Sequence, residues 1–305
     1  MMPSPDAARA LNADLHSHSR VSDGVLAPAE VARRAASQGV RLFALTDHDE
    51  VAGLSEARAA AFAAGMAFVP GVEISVSWGG ETIHVLGLRV DFACEALIAG
   101  LARTRAGRDA RAREMGEALA RAGVPGAYEG ALRYAGNPAL VSRTHFARFI
   151  VAQGRCADVR EVFRHYLSEG RPGFVPHRWA ALGDALAWIR AAGGTAVLAH
   201  PGRYRLGDNA LHALIGEFRD GGGEAIEVVC GSHARQQYRR FAEIALEFGL
   251  RASRGSDFHG PDEGHVELGR LPPLPAPLVP VWADWPEAAQ AVARTAAGGR
   301  TLASA

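Results

Sequence analysis

Short apolar runs separated by stretches of helical periodicity set the organisation of the first ninety residues. A buried strand is expected over about residues 12–17, followed by a loop and a helix with Pro28 in its first turn and Gly39 as its stop. Arg41-Leu-Phe-Ala-Leu45 reads as a second apolar strand, and an alanine-rich helix over about 52–64 closes at Gly65. Further strands are expected over about 67–76 and 82–88, while residues 1–11 read as a loose leader. From about 95 to 170 the periodicity is helical throughout, broken at Gly123-Val-Pro125 and Gly136-Asn-Pro138. Strands and helices alternate again after Gly173. Helices over about 180–192, 208–220 and 233–248 interleave with strands at Gly194–His200, Ala225–Val229 and Arg251–His259. The proline-rich run Leu271–Pro277 reads as an extended surface strap, and a short helix over about 285–297 finishes the chain.

This alternation is that of a parallel α/β barrel, which builds its site from strand ends on one face. The expected division is a barrel in two parts, 12–94 and 172–297, around a helical insertion at 95–171 that covers the active site. No internal repeat is evident.

The strand ends carry the chemistry. His16 and His18 are two residues apart on a strand, so both imidazoles leave the same face. Asp23 follows in a glycine turn, and His48, Glu73, His84, His200, Asp257 and His259 fall at or just after later strand ends. Any one of these could be satisfied by backbone. Nine converging on one rim are costly to bury without a cation. A His and carboxylate donor set suits Zn, Mn or Fe, and nine ligands suit two or three divalent ions.

Composition narrows the partners. The 33 basic residues are all arginine and are matched by 33 acidic ones, so net charge is zero and no global field recruits a DNA duplex or a membrane. The absence of lysine excludes Schiff-base and lysine-base mechanisms. Cys94, Cys156 and Cys230 are scattered and odd in number, which indicates neither a disulfide framework nor a cysteine metal site. With no secretory signal and no apolar run near membrane-spanning length, a reducing cytoplasm is the expected location. The first inserted helix holds Arg103, Arg105, Arg108, Arg111 and Arg113, a pattern that by itself reads as a solvated face. Ser142 can cap the helix that follows it and offer Arg143 to an anion.

The motifs Asp-Leu-His-Ser-His-Ser, Thr-Asp-His-Asp, Gly-Val-Glu-Ile-Ser, Ala-His-Pro-Gly-Arg-Tyr and Gly-Ser-Asp-Phe-His resemble those of the PHP (polymerase and histidinol phosphatase) family over about residues 12–282. Within it the chain resembles the 3',5'-nucleoside bisphosphate phosphatases and, beside them, bacterial 5'-to-3' exoribonucleases. The resemblance implies a distorted (β/α)7 barrel with the insertion folded over its metal face. It implies one ion held by His16, His18, Glu73 and Asp257, a second by Glu73, His84 and His200, and a third by Asp23, His48 and His259, with manganese the usual metal and iron or zinc also found. It further implies substrate contacts from Asp23, His48, Arg105, Arg108, Ser142 and Arg143.

The reaction expected on this basis is attack of a metal-bridging hydroxide on the 3'-phosphorus of adenosine 3',5'-bisphosphate, giving AMP and phosphate. Asp23, His48 and Asp257 are its catalytic candidates, and His233 is a candidate for the rim and the leaving-group acid. Arg178 and Arg203 are weaker phosphate candidates, and His145, His165, His177, His212 and His265 have no assigned role. The alternative is stepwise release of 5'-mononucleotides from short 5'-phosphorylated RNA. A histidinol phosphatase and a non-catalytic metal scaffold stand below both. The oligomeric state is left open.

Overall fold

A computed structural model describes residues 4–263 and 266–302; His265 lies outside them. Seven strands form one sheet in sequence order: β1 (Ala13–Asp14), β2 (Leu42–Leu45), β3 (Ala67–Trp78), β4 (Glu81–Leu88), β5 (Thr195–Leu198), β6 (Ala225–Cys230) and β7 (Arg251–Gly255). The sheet curls shut because β7 bonds back to β1. Leu15 N donates to Arg254 O at 3.1 Å, Asp257 N to His16 O at 2.9 Å and His18 N to Phe258 O at 2.8 Å. This is the expected seven-stranded barrel.

It is not wholly parallel. β3 and β4 form an antiparallel hairpin, and β4 also pairs antiparallel with β5. The cause is local: Gly79 and Gly80, at φ 56° and 85°, make the two-residue turn between paired Trp78 and Glu81. Tight hairpin turns of this kind need positive φ at both central residues. The hairpin places Ser75 opposite His84, so one connection delivers two site-facing positions without a crossover helix.

Residues 4–11 are not a loose leader. Ser4 caps α1 (Pro5–Ala10), Ala8 and Leu11 are buried, and Trp282 Nε1 donates to Ala8 O at 2.9 Å. Around the barrel run α2 (Pro28–Ser37) and α3 (Leu54–Ala63) in the first half. The second half carries α9 (Leu182–Ala191), α10 (Asp208–Asp220), α11 (Arg235–Glu247) and α12 (Pro286–Leu302). Buried leucines at 271, 274 and 278 pin the proline-rich strap to the barrel core.

Between β4 and α9 lie α4 (Glu95–Arg105), α5 (Arg108–Arg121), α6 (Ala127–Leu132), α7 (Arg143–Ala152) and α8 (Val159–Val162), then a single π turn at Phe163–Leu167. Leu97 and Leu101 of α4 join the barrel core, whereas residues from Ala112 to Leu167, including Met115, Leu119, Phe146 and Ile150, form a core of their own. By packing, α4 is thus part of the barrel wall and the separate helical body begins with α5.

Candidate metal centre and anion pocket

The barrel rim gathers all nine of the expected ligands. His16 and His18 leave the chain just past β1, His48 past β2, His200 past β5, and Asp257 and His259 past β7; Glu73 and His84 sit within the β3–β4 hairpin, and Asp23 in the loop before α2. Two backbone features make this convergence possible. A Cβ on Gly255 would land on His16, so the closing strand can reach β1 only with glycine there. His200 and Asp257 adopt φ of 25° and 56°, left-handed conformations rare for side-chain-bearing residues and typical of constrained sites.

Their donor atoms fall into four overlapping clusters: His18, Asp23, His48 and His259; His16, Glu73 and His200; His16, His18 and Asp257; and His48, Glu73 and His84. In the innermost set, His16 Nε2 and His18 Nε2 lie 3.2 Å apart, each 3.2–3.3 Å from Glu73 Oε2 and 3.3–3.5 Å from Asp257 Oδ1. Separations of 3.2–3.5 Å are those expected between neighbouring ligands of one ion with bonds of about 2.0–2.1 Å. Glu73 divides its oxygens: Oε2 faces that set, while Oε1 lies 2.8 Å from both His84 Nδ1 and His200 Nε2. Asp23 Oδ1 lies 3.3 Å from His259 Nε2 and 3.8 Å from His48 Nε2.

Buried Asp23 Oδ1, Glu73 Oε2, His18 Nδ1 and His48 Nδ1 have no hydrogen-bond partner, although His48 Nδ1 lies 3.0 Å from Glu73 Oε2. Nitrogen and oxygen lone pairs crowded without hydrogen bonds are what a metal cation resolves. The residues fit a cluster of divalent ions.

Electrostatics agree. Burial would raise the carboxyl groups, but the surrounding imidazoles hold Glu73, Asp23 and Asp257 well below the usual carboxylate range. Burial lowers the His200 imidazole to about 4, leaving it neutral and able to ligate. Burial also opposes a charge on His18, yet the adjacent Asp257 and Glu73 carboxylates carry it up to about 10, so the carboxylates favour positive charge here.

A ring of further acids fixes the ligands. Glu227 Oε1 accepts from His16 Nδ1 at 3.0 Å and its Oε2 from His200 N at 2.6 Å, aiming the other nitrogen of His16 inward. Asp47 accepts from Ser19 N, Ser19 Oγ and Ser22 Oγ at 2.6–2.8 Å and so holds the loop leading to Asp23. Asp49 accepts from Ser75 N and Oγ at 2.8 Å and pairs with Arg108. None of these roles had been assigned from sequence.

Beside the centre opens a cavity of about 120 Å³ lined by Asp23, His48, His84, Ser142, Thr144 and the guanidinium groups of Arg108, Arg111, Arg143 and Arg203. Arg108 lies over the Trp179 ring at 4.4 Å and Arg111 at 5.4 Å. Arg111 donates from Nε to Val175 O and, among the described residues, has no carboxylate partner. Arg143, at the start of α7, lies over Phe163. Burial and the neighbouring arginines push Arg111 down to about 9 and Arg143 to about 10, as expected of cations crowded together.

Two expected substrate residues sit differently. Arg105 does not line the cavity; it reaches Asp49 O at 2.5 Å and Glu50 at 3.4 Å. His233 is buried against Phe241, with Nε2 accepting from Gly202 N at 3.1 Å and Nδ1 facing Val228 O at 3.3 Å. Both its ring nitrogens are thereby engaged by backbone, and it braces the turn bearing Arg203. Arg111 and Thr144, not assigned from sequence, line the cavity instead.

Comparison with known proteins agrees with this geometry. The PHP domain family model matches residues 14–167. A 3',5'-nucleoside bisphosphate phosphatase of Chromobacterium violaceum is 51% identical over 273 residues, 90% of this chain and 96% of that protein. A 5'-3' exoribonuclease of Haemophilus influenzae is 42% identical, covering 88% of this chain and 97% of that protein. A solved structure described as an amidohydrolase from Chromobacterium violaceum, with bound sulfate and no metal, superposes with a TM-score of 0.88 at 50% identity, covering 92% of this chain and 96% of that one. The chain therefore belongs to the PHP domain family and is a metal-dependent phosphoesterase.

Proposed function

We propose that the protein removes the 3'-phosphate of nucleoside 3',5'-bisphosphates, giving the 5'-monophosphate and inorganic phosphate. The observation that carries this reading is the pair Arg111 and Arg143, partly buried cations without carboxylate partners among the described residues, beside the cluster of nine candidate ligands. Such a pair favours an anion of two charges, and guanidinium groups bind phosphate in a fork. The 5'-phosphate seats there and the 3'-phosphate on the metal centre. The name and 51% identity of the Chromobacterium relative support the same substrate class.

Clustered divalent ions supply an activated water near neutral pH and neutralise charge on the phosphoryl oxygens, and manganese is the first choice, before iron or zinc. The chain's own residues do the positioning. Glu73 would offer one oxygen to an ion beside His16 and His18 and the other to an ion beside His84 and His200. Glu227 holds His16 in the required tautomer. Arg203 Nη1 donates to Asp257 Oδ2 at 3.1 Å, steadying that carboxylate while its half-exposed guanidinium borders the reacting phosphate. Asp49 keeps Arg108 neutralised, so the fork for substrate is Arg111 and Arg143.

A second reading is 5'-to-3' cleavage of short 5'-phosphorylated RNA. It is favoured by a larger cavity of about 580 Å³ on the Asp257 side of the centre, lined by Arg160, Arg164, Ser232 and Ser256, with room for a continuing strand. The deciding experiment compares kcat/KM for phosphate release from adenosine 3',5'-bisphosphate with that for mononucleotide release from a 5'-phosphorylated RNA tetramer, both with manganese. Preference for the bisphosphate supports the phosphatase; preference for the tetramer overturns it.

A further inference from the structure

Three cavities meet at the metal centre: the arginine pocket of about 120 Å³, the cavity of about 580 Å³ beside Asp257, and one of about 310 Å³ bordered by Glu81, Phe174, Pro176, Tyr204 and Arg205. Two residues line all three, Phe163 and Arg203. The arginine pocket is sized and charged for a phosphate. A nucleoside attached to that phosphate must extend into one of the larger cavities, and either route passes Phe163.

Phe163 opens the π turn, where Ser168 N donates to Phe163 O at 2.9 Å, five residues back. Isolated π turns are frequent at functional sites because they re-aim side chains. The ring is anchored against the insertion's own core yet only partly buried. Of the other aromatic rings lining these cavities, Trp179 is packed by Arg108, Arg111 and His177, and Phe174 and Tyr204 border only the cavity of about 310 Å³. Phe163 carries Arg143 at 5.5 Å, which places an aromatic ring beside the arginine proposed to hold the 5'-phosphate.

We infer that Phe163 is the platform on which the nucleobase stacks, a contact that detects the presence of a base and not its identity. This rests on the nucleotide reading of the site. Stacking on an aromatic ring is tolerant because every base has a π face. The bidentate reader of an adenine edge is an amide side chain, and among the described residues no Asn or Gln lines any of the three cavities.

The test is equilibrium binding of AMP and of ribose 5-phosphate to the manganese-loaded protein, in wild type, Phe163→Leu and Phe163→Tyr. Wild type is expected to bind AMP about 5- to 100-fold more tightly than ribose 5-phosphate. Phe163→Leu, which keeps apolar packing, should abolish that advantage and leave ribose 5-phosphate affinity unchanged; Phe163→Tyr should retain it. AMP, GMP, CMP and UMP should bind within a few-fold of one another. Equal weakening of AMP and ribose 5-phosphate, or no effect on either, overturns the stacking role. A strong preference for one base overturns the tolerance. Because binding needs no turnover, a protein that binds AMP through Phe163 but releases no phosphate from any bisphosphate would sink the phosphatase reading alone.

Discussion

Thr144 Oγ1 donates to Asp23 Oδ2 at 3.0 Å, and Ser142 Oγ reaches the same oxygen at 3.2 Å. Both donors stand at the start of α7, and Arg148 of that helix also donates to Asp23 O. One face of the Asp23 carboxylate is thus clamped by the insertion, which leaves Oδ1 directed at His48 and His259. The insertion thereby holds a candidate metal ligand in place. Thr144→Val removes the hydroxyl at nearly constant shape. Loss of such a supporting bond weakens metal about 10- to 100-fold. After dialysis at low free manganese, the variant should retain about one ion fewer per chain than wild type, and Thr144→Ser should restore it. Unchanged metal content in Thr144→Val would mean that the clamp is dispensable.

Glu227 supports the opposite side of the centre. Its two oxygens serve His16 Nδ1 and the His200 backbone, and an amide cannot accept both bonds with full charge. Glu227→Gln should lower manganese affinity about 10- to 100-fold, read by calorimetric titration of metal-free protein. Circular dichroism should be unaltered. Retention of wild-type affinity would show that the His16 tautomer is set without the carboxylate.

The strands and the gathering of the nine candidate ligands were legible because both depend on local pattern. Buried strands are apolar runs, and the nine residues interrupt or end those runs with side chains that a core would not otherwise admit. The antiparallel direction of β4 was not assigned, because an apolar run carries no polarity of its own; the signal was Gly79-Gly80, a two-residue hairpin turn. Glu227 was also visible in principle, as a lone acid inside Ala225–Cys230, whose six positions are all buried. Arg111 and Thr144 were not, because their value depends on which face of α5 and α7 meets the barrel, a tertiary fact. His233 looked like a rim residue because it follows a strand end, but its ring turns inward onto Phe241.

The arginines divide by what already neutralises them. Arg105 is committed to Glu50 and the Asp49 carbonyl, whereas Arg111 and Arg143 have no carboxylate among the described residues. Arg143→Ala and Arg111→Ala should each raise KM for 5'-phosphorylated substrates about 10- to 100-fold, the value of a charged hydrogen bond. Metal content should stay intact. Adenosine 3'-phosphate, which lacks the 5'-group, should be turned over equally by variant and wild type. Arg105→Ala should change KM for the bisphosphate by less than about threefold, since a largely satisfied ion pair contributes little to an external anion. Reversal of that order, with Arg105 dominant, would move the 5'-phosphate seat to the Asp49 side.

His145 makes the insertion sensitive to acid. Its Nδ1 accepts from Ser142 N at 3.0 Å and its Nε2 is buried without a partner. Burial lowers the imidazole to about 4, while an unfolded histidine titrates near 6.5. Between those values the unfolded chain holds a proton that the folded chain does not. Stability therefore falls as pH drops from about 6.5 towards 4, and this residue contributes no pH dependence above about 6.5. At pH 5 the loss should be of the order of 2 kcal/mol. Glutamine at the same place can still accept from Ser142 N, as the third residue of a capping box, but has no proton to gain. Urea denaturation of metal-saturated wild type and His145→Gln at pH 7.5 and pH 5 isolates the effect from the other titrating groups, which the two proteins share. The difference between them should shift in favour of His145→Gln by about that amount at pH 5. Parallel losses in both would assign the acid sensitivity elsewhere in the fold.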